Sequence, residues 1–438
     1  MPETGDKGVP TLHADVISVI DEPNDDQASV LTPDGAYVQA NTFSEFMAAW
    51  LAKVKGGDSG ILPVLVGLVL IAIIFQSLNS NFLSPGNIVN LLSQGSVYIM
   101  LSLGEIFALL LGEIDLSIGF VAGVGGIVAA QLTSPQHNWP WWLAILAALA
   151  ITALIGLLQG TIITRIGLPS FVVTLAGLLG WQGVMLMILG NGGTLPISSN
   201  VLNDLANASL SNSAGWIIVM GLVLLFAIGT LTRDYRRRKA GLHTPPKLVA
   251  YLKVTSVTIF GVALVLISNS NRGVLEPITG LPWVVLIVGA FIVGASFLLA
   301  RTRYGRYIYA IGGNPEGARR GGVNLAWVRT GAFALASMTA GAAGIIYASR
   351  LRSVSTNLDG GTLVLYAVAA AVIGGTSLFG GRGKPIAAIL GGIVIAGIDN
   401  GMGLLGISAA ARLVVTGLVL LAAVLIDALA RKGRSTRV

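Results

Sequence analysis

"WWLAILAALAITALIGLLQGTII", Trp141 to Ile163, runs for 23 residues without a charge. At about 1.5 Å of rise per residue such a helix is about 35 Å long, enough to cross the ~30 Å hydrocarbon layer of a bilayer. Two indoles stand at its start and Arg165 lies just past its end, an arrangement that suits an aromatic interface on one side and a basic cytoplasmic loop on the other. Comparable apolar runs recur from Gly60 almost to the C-terminus. Across the 438 residues 54 % are hydrophobic and 11 % charged, with a mean hydropathy of +0.80, whereas soluble domains carry roughly 25 % charged residues. The pattern predicts an all-α, polytopic membrane helical bundle.

Twelve spans are read, near 60–78, 88–111, 116–133, 141–163, 170–190, 214–231, 249–268, 281–300, 326–349, 361–379, 386–404 and 410–429, within a range of ten to twelve. With the N-terminus inside, one set of loops collects Lys53, Lys55, Arg165, Arg233, Arg236, Arg237, Arg238, Lys239, Lys247, Arg301, Arg303, Arg306, Arg319, Arg320, Arg382, Lys384 and the basic residues after 430. The other set holds Arg272, Arg350, Arg352 and Arg412. The inequality puts both termini in the cytoplasm. Glycines four apart within spans, Gly119 and Gly123, Gly156 and Gly160, Gly397 and Gly401, read as close helix crossings.

The net charge of +7 conceals a split. Residues 1–50 hold nine acids and one base, a net of −8, leaving +15 for the rest. Those bases flank spans, which argues for a membrane surface and against nucleic acid. Residues 1–55 read as an acidic, disordered cytoplasmic tail, 56–430 as the transmembrane domain and 431–438 as a basic tail. The arginines between Thr230 and Thr244 serve as an orientation signal or hold a phosphate or lipid headgroup. With no cysteine, thiolate metal sites are excluded. His13, His137 and His243 form no H-E-x-x-H pattern, so no metal site and no membrane-embedded metalloenzyme is expected.

Between the eighth and ninth spans lies "YAIGGNPEGARRGGVN", Tyr309 to Asn324. Asn314 is a good N-cap, Pro315 suits the first helical position, and Glu316 faces the positive end of the helix dipole. Arg319 and Arg320 fall in the last turn, and Gly321-Gly322 ends the helix. A helix of two turns is predicted, serving either as a connector or as a lever that docks on a cytoplasmic partner. A β-branched residue at Gly313 is expected to impair it. The chain has no P-loop: in "GGTSLFGGRGKP", Gly374 to Pro385, Pro385 stands where Ser or Thr would hold Mg²⁺. No ATP site and no bound cofactor are expected in this chain.

Intramembrane acids are costly and therefore functional candidates. Glu105, Glu113, Asp115, Asp399 and Asn400 are the candidate pathway or intramembrane polar residues, while Asp427 reads as an interfacial partner of Arg431. Glu113 and Asp115 mark either an inner turn or the pathway. Asp399 and Asn400 either hydrogen-bond a substrate hydroxyl or cross-link helices. A proton-coupled secondary transporter of a small polar solute, using Glu105 or Asp399 as the carrier, is the alternative.

"GEIDLSIG" (112–119), "IGLPSFVVTLAGLLGWQG" (166–183), "RYGRYIYAIGGNPEGARRGGVN" (303–324), "AAAVIGGTSLFGGRGKP" (369–385) and "AGIDNGMGLLG" (396–406) together resemble the permease subunits of bacterial ABC sugar importers, the ribose, galactose, arabinose and xylose branch. The extra span near 249–268 and "DNGM" at 399–402 are most similar to its xylose members. The family often reads Gly-Gly-Ile-Asp-Leu-Ser where this chain has Gly112-Glu113-Ile114-Asp115-Leu116-Ser117. The resemblance implies a multi-pass protein of the bacterial cytoplasmic (inner) membrane and a homodimer in contact with lipid. It also implies cytoplasmic ATPase subunits that bind ATP and Mg, an extracytoplasmic sugar-binding protein, and a monosaccharide cargo, D-xylose. On the same basis Gly312, Gly313, Asn314, Pro315, Glu316, Gly317, Ala318, Arg319, Arg320 and Gly321 form the coupling helix to the ATPase.

Overall fold

The computed structural model describes residues 29–31, 37–39, 42–55, 60–242, 244–273, 276–419, 421 and 425. A hairpin of β1 (Ser29–Leu31) and β2 (Tyr37–Gln39) precedes α1 (Phe43–Lys55), α2 (Leu62–Leu78), α3 (Pro85–Leu110), α4 (Ile118–Leu132), α5 (Trp141–Thr161) and α6 (Ser170–Leu189). Then come β3 (Thr194–Pro196), α7 (Asn200–Asn207), α8 (Asn212–Lys239), α9 (Lys247–Asn269), α10 (Trp283–Arg301), α11 (Arg303–Gly313) and α12 (Pro315–Arg320). The series closes with α13 (Leu325–Leu351), β4 (Ser353–Ser355), α14 (Gly360–Ile373), α15 (Ile386–Leu404) and α16 (Ala409–Val419).

Among the described residues each of the twelve apolar runs falls on a helix, the last of them, 410–429, lying partly outside those residues. Among the described residues eight helices are long and apolar enough to cross a membrane, while α2, α4, α14 and α16 are shorter. The most apolar windows of α3, α13 and α15 are 78 %, 72 % and 67 % buried, against 17 % in α6, α8 and α9. An inner group is thus ringed by helices whose leucines and isoleucines face outward, as lipid permits. The glycine pairs lie at crossings: a methyl on Gly156 would overlap the carbonyl oxygen of Phe333, so α5 and α13 touch backbone to backbone.

The inner group has an inverted arrangement. A long helix followed by a short one, α3 and α4 with 26 and 15 residues, recurs as α13 and α14 with 27 and 14. α3 ends at the face of the molecule where α13 begins. α3 packs on α14 and α15 as α13 packs on α4 and α5. An aspartate introduces each short helix: Asp115 accepts from the Ser117 N–H at 2.9 Å and Asp359 from the Thr362 N–H at 3.0 Å. At about 22 Å, α4 is too short for the hydrocarbon layer, so the turn before it sinks into protein, the setting in which irregular backbone at membrane depth is tolerated.

Several features depart from the sequence reading. Phe43–Lys55, within the tail expected to be disordered, is helical; the Thr42 hydroxyl and the Glu45 carboxylate each accept the other's N–H, both at 3.3 Å, a capping box. α8 continues to Lys239, its last turn holding Arg236, Arg237, Arg238 and Lys239, where the helix dipole favours cations. The stretch Asn191–Ser213 contributes α7, and β3 pairs antiparallel with β4. α11, read as loop, is an amphipathic helix capped by Thr302. His13, His243, Asp427, Arg431 and the tail 431–438 lie outside the described residues.

Gly156→Leu is expected to cost about 1–3 kcal/mol or more through overpacking, measured as a lowered thermal midpoint of the detergent-solubilised protein. Gly180→Ala, where nothing lies within 4 Å of the added methyl, is expected to be neutral or mildly stabilising.

Candidate functional site

α12 is six residues long, too short to persist alone in water, and its ends are held by the groups the sequence supplies. The Asn314 side chain accepts from the Gly317 N–H at 2.8 Å. At the other end the Val323 N–H donates to Ala318 O at 3.1 Å and the Gly322 N–H to Arg319 O at 3.0 Å, with Gly322 at φ +81, a Schellman closure. Glu316 meets Arg319 at 2.8 Å and Arg320 at 3.5 Å. Ala318 is buried and every other residue of α12 is exposed. The helix therefore has one anchor and an open surface.

What lies beneath is closely packed. A methyl on Gly312 would overlap the Leu110 carbonyl oxygen at the end of α3 and crowd the Gly381 nitrogen, whereas one on Gly313 would meet nothing within 4 Å. The steric demand expected at Gly313 thus falls on Gly312. The Gly381 N–H donates to the same Leu110 oxygen at 2.9 Å, and the Tyr309 hydroxyl to Gly383 O at 2.8 Å. The P-loop lookalike is this α14–α15 loop, folded against α3 and α11. Tyr304 of α11 donates to Val328 O of α13 at 2.9 Å. Burial pushes both phenols above their ordinary range, so they remain donors at neutral pH.

Next to this junction the structure gathers Glu105, Glu113 and Asp115, all buried. Protein rather than solvent surrounds the turn. Asp115 accepts from the Ser117 hydroxyl at 2.6 Å, and Ser117 also bonds Gln159 of α5. The Asp115 N–H donates to Glu105 at 3.3 Å. Glu113 lies 2.8 Å from the Arg329 Nε of α13, although neither atom has a hydrogen-bond partner: the contact is an ion pair with its N–H aimed elsewhere.

Asp399 and Asn400 sit near the opposite end of the inner group. Asn400 and Asn87 exchange amide hydrogen bonds of 2.7 and 3.0 Å, fastening α15 to α3. Asp399 accepts from Gln94 and from the Tyr98 hydroxyl at 2.8 Å, with Arg412 at 3.8 Å. The Tyr98 ring meets Tyr366 edge-on at 5.0 Å. Carboxylate, amide and phenol are here bonded to one another, with a guanidinium and a second aromatic ring alongside. Gln94, Tyr98 and Tyr366 are not among the residues the sequence singles out; the i, i+4 spacing of Gln94 and Tyr98 on α3 is a signal for those two, while Tyr366 reaches them only through the packing of α14 on α3. Tyr98 and Leu110 stand twelve residues apart on α3, about 18 Å along one rod, so one helix joins the polar cluster to the α12 junction.

Over residues 87–424 the chain matches the family model described as "Branched-chain amino acid transport system / permease component". It is 34 % identical over 392 residues to the xylose transport system permease protein of Escherichia coli (strain K12), covering 87 % of this chain and 96 % of that protein. Against the xylose transport system permease protein of Haemophilus influenzae (strain ATCC 51907 / DSM 11121 / KW20 / Rd) the identity is 31 % over 376 residues, 86 % of this chain and 98 % of the relative. Against the ribose import permease protein of Escherichia coli (strain K12) it is 31 % over 382 residues, 87 % and 95 %. No solved structure matches the chain.

Asn314→Ala removes a cap worth about 1 kcal/mol. Amide exchange of residues 317–320 is expected to quicken about fivefold, with Asn314→Asp close to wild type; unchanged exchange in Asn314→Ala would show that the cap does not hold α12.

Proposed function

Because this chain belongs to the transport-system permease family, whose members are transporter subunits and not enzymes, we propose that it is the membrane subunit of an ATP-driven monosaccharide importer with D-xylose as its cargo. The observation that carries the mechanism is the exposed, doubly capped α12 seated on the glycine contact between Gly312 and Leu110. In this reading α12 is the coupling helix: a separate ATPase, with its ATP and Mg, grips its outer surface. The xylose assignment rests on the 34 % identity over most of both chains.

Twelve spans with both termini in the cytoplasm follow from the basic loops, with the inner membrane as the site and a second copy of the chain completing the pathway. An extracytoplasmic binding protein delivers the sugar at the end bearing α7 and the β3–β4 ribbon. The cluster of Gln94, Tyr98, Asp399 and Arg412 then offers hydrogen bonds that replace those lost to water. Asp399 is held by two donors, with a guanidinium nearby, which suits a fixed acceptor better than the proton carrier of the alternative reading.

Switching follows differential binding: the ATP-bound partner holds one permease state more tightly than the other. Reversing a 99:1 preference needs about 5.5 kcal/mol, so the lever must be stiff. Glu316→Lys reverses both ion pairs and places a cation at the helix's positive end; it is expected to reduce ATP-dependent uptake of labelled xylose while membrane insertion stays normal. Uptake that follows the proton gradient and survives loss of the ATPase would overturn the proposal. Asp399→Asn and Tyr98→Phe are expected to slow xylose uptake severalfold, and unchanged uptake in both would remove the cluster from the pathway.

A further inference from the structure

A cavity of about 570 Å³ opens between α5, α11 and α13, on the α12 side of the molecule. Its wall changes character along its length: Arg165, Thr164, Thr330 and Trp327 lie toward the α12 side, and Leu335 and Met338 line its deeper part. Arg165 is the only charged side chain lining it among the described residues. That residue sits in a π-helical turn, Ile162–Ile166, a local distortion that often marks a functional site, and no described hydrogen bond or ion pair engages it. The neighbouring Thr164 hydroxyl bonds the Thr330 hydroxyl at 3.1 Å, bringing the distorted turn against α13. Leu335 and Met338 also wall a second, almost wholly apolar cavity of about 330 Å³ beside α3 and α10.

A cation at the mouth, an indole beside it, and apolar walls running inward form a gradient matched to an amphiphilic anion. A free anion would gain nothing from the walls, and an uncharged chain nothing from Arg165. We infer that this cavity binds one acidic phospholipid of the α12-side leaflet, its phosphate at Arg165 and an acyl chain along Leu335 and Met338. Tyr304, which fastens α11 to α13, also lines the cavity, so the lipid touches the element that carries α12.

The test is native mass spectrometry of the full-length, delipidated protein offered dioleoyl phosphatidylglycerol or dioleoyl phosphatidylcholine. Wild type is expected to retain one phosphatidylglycerol per chain at least about fivefold more strongly, the worth of one basic residue near an anionic surface. Arg165→Gln is expected to reduce that retention to the phosphatidylcholine level, and Ala334→Phe, which fills the cavity, to lose both lipids. Equal retention of the two lipids by wild type, or unchanged preference in both variants, would overturn the inference. So would displacement of phosphatidylglycerol by millimolar inorganic phosphate, the mark of a simple anion site, or a wild-type cavity closed to both lipids, the mark of a protein segment seated there. The readout is binding alone and does not depend on the cargo.

Discussion

The approach of Gly312 to the Leu110 carbonyl oxygen is the contact on which the rest of the molecule turns. No side chain fits between them, so α11, the last turn of α3 and the α14–α15 loop meet as backbone against backbone. Such a junction has little room to deform, since packed interiors respond by discrete shifts rather than gradual bending. On the proposed reading, a force on α12 would reach α3 here and, along that helix, the Tyr98–Asp399 and Asn87–Asn400 bonds that fasten it to α15.

In the inverted pairing of α3–α4 with α13–α14 each long helix packs against the other unit's short helix, so on the proposed reading a tilt of one long helix would carry the short helix of the opposite unit. The short helices leave polar turns at their starts, and the buried one is bonded by Ser117, Glu105 and Gln159 while the other is exposed at Asp359. Inverted repeats recur in transporters because one packing serves both directions of opening.

The sequence made some of this legible and concealed the rest for physical reasons. α12 was readable because caps are local: Asn314, Pro315 and Gly322 act within four residues. The apolar runs were readable because lipid tolerates little else. The break before α4 was legible, since Gly112, Glu113 and Asp115 interrupt the apolar run at "LLGEIDLSIG", but the burial of that turn was not, because it depends on α5 and α13, distant in sequence. Which of Gly312 and Gly313 bears the close contact depends on α3, distant in sequence. The same holds for the Asn87–Asn400 pair and for the donors around Asp399. The capping box at Thr42 and Glu45 was present in the letters, but the surrounding acidic composition outweighed it.

Sugar uptake and ATP hydrolysis measured together, in membranes containing the full complex, test the coupling most directly when Gly312→Ala is set beside Gly313→Ala. The packing predicts that Gly313→Ala transports normally, while Gly312→Ala inserts normally and hydrolyses ATP with little sugar moved per ATP. Equal sugar-to-ATP ratios in the two variants would contradict the lever, and with it the claim that α12 drives the bundle through that contact.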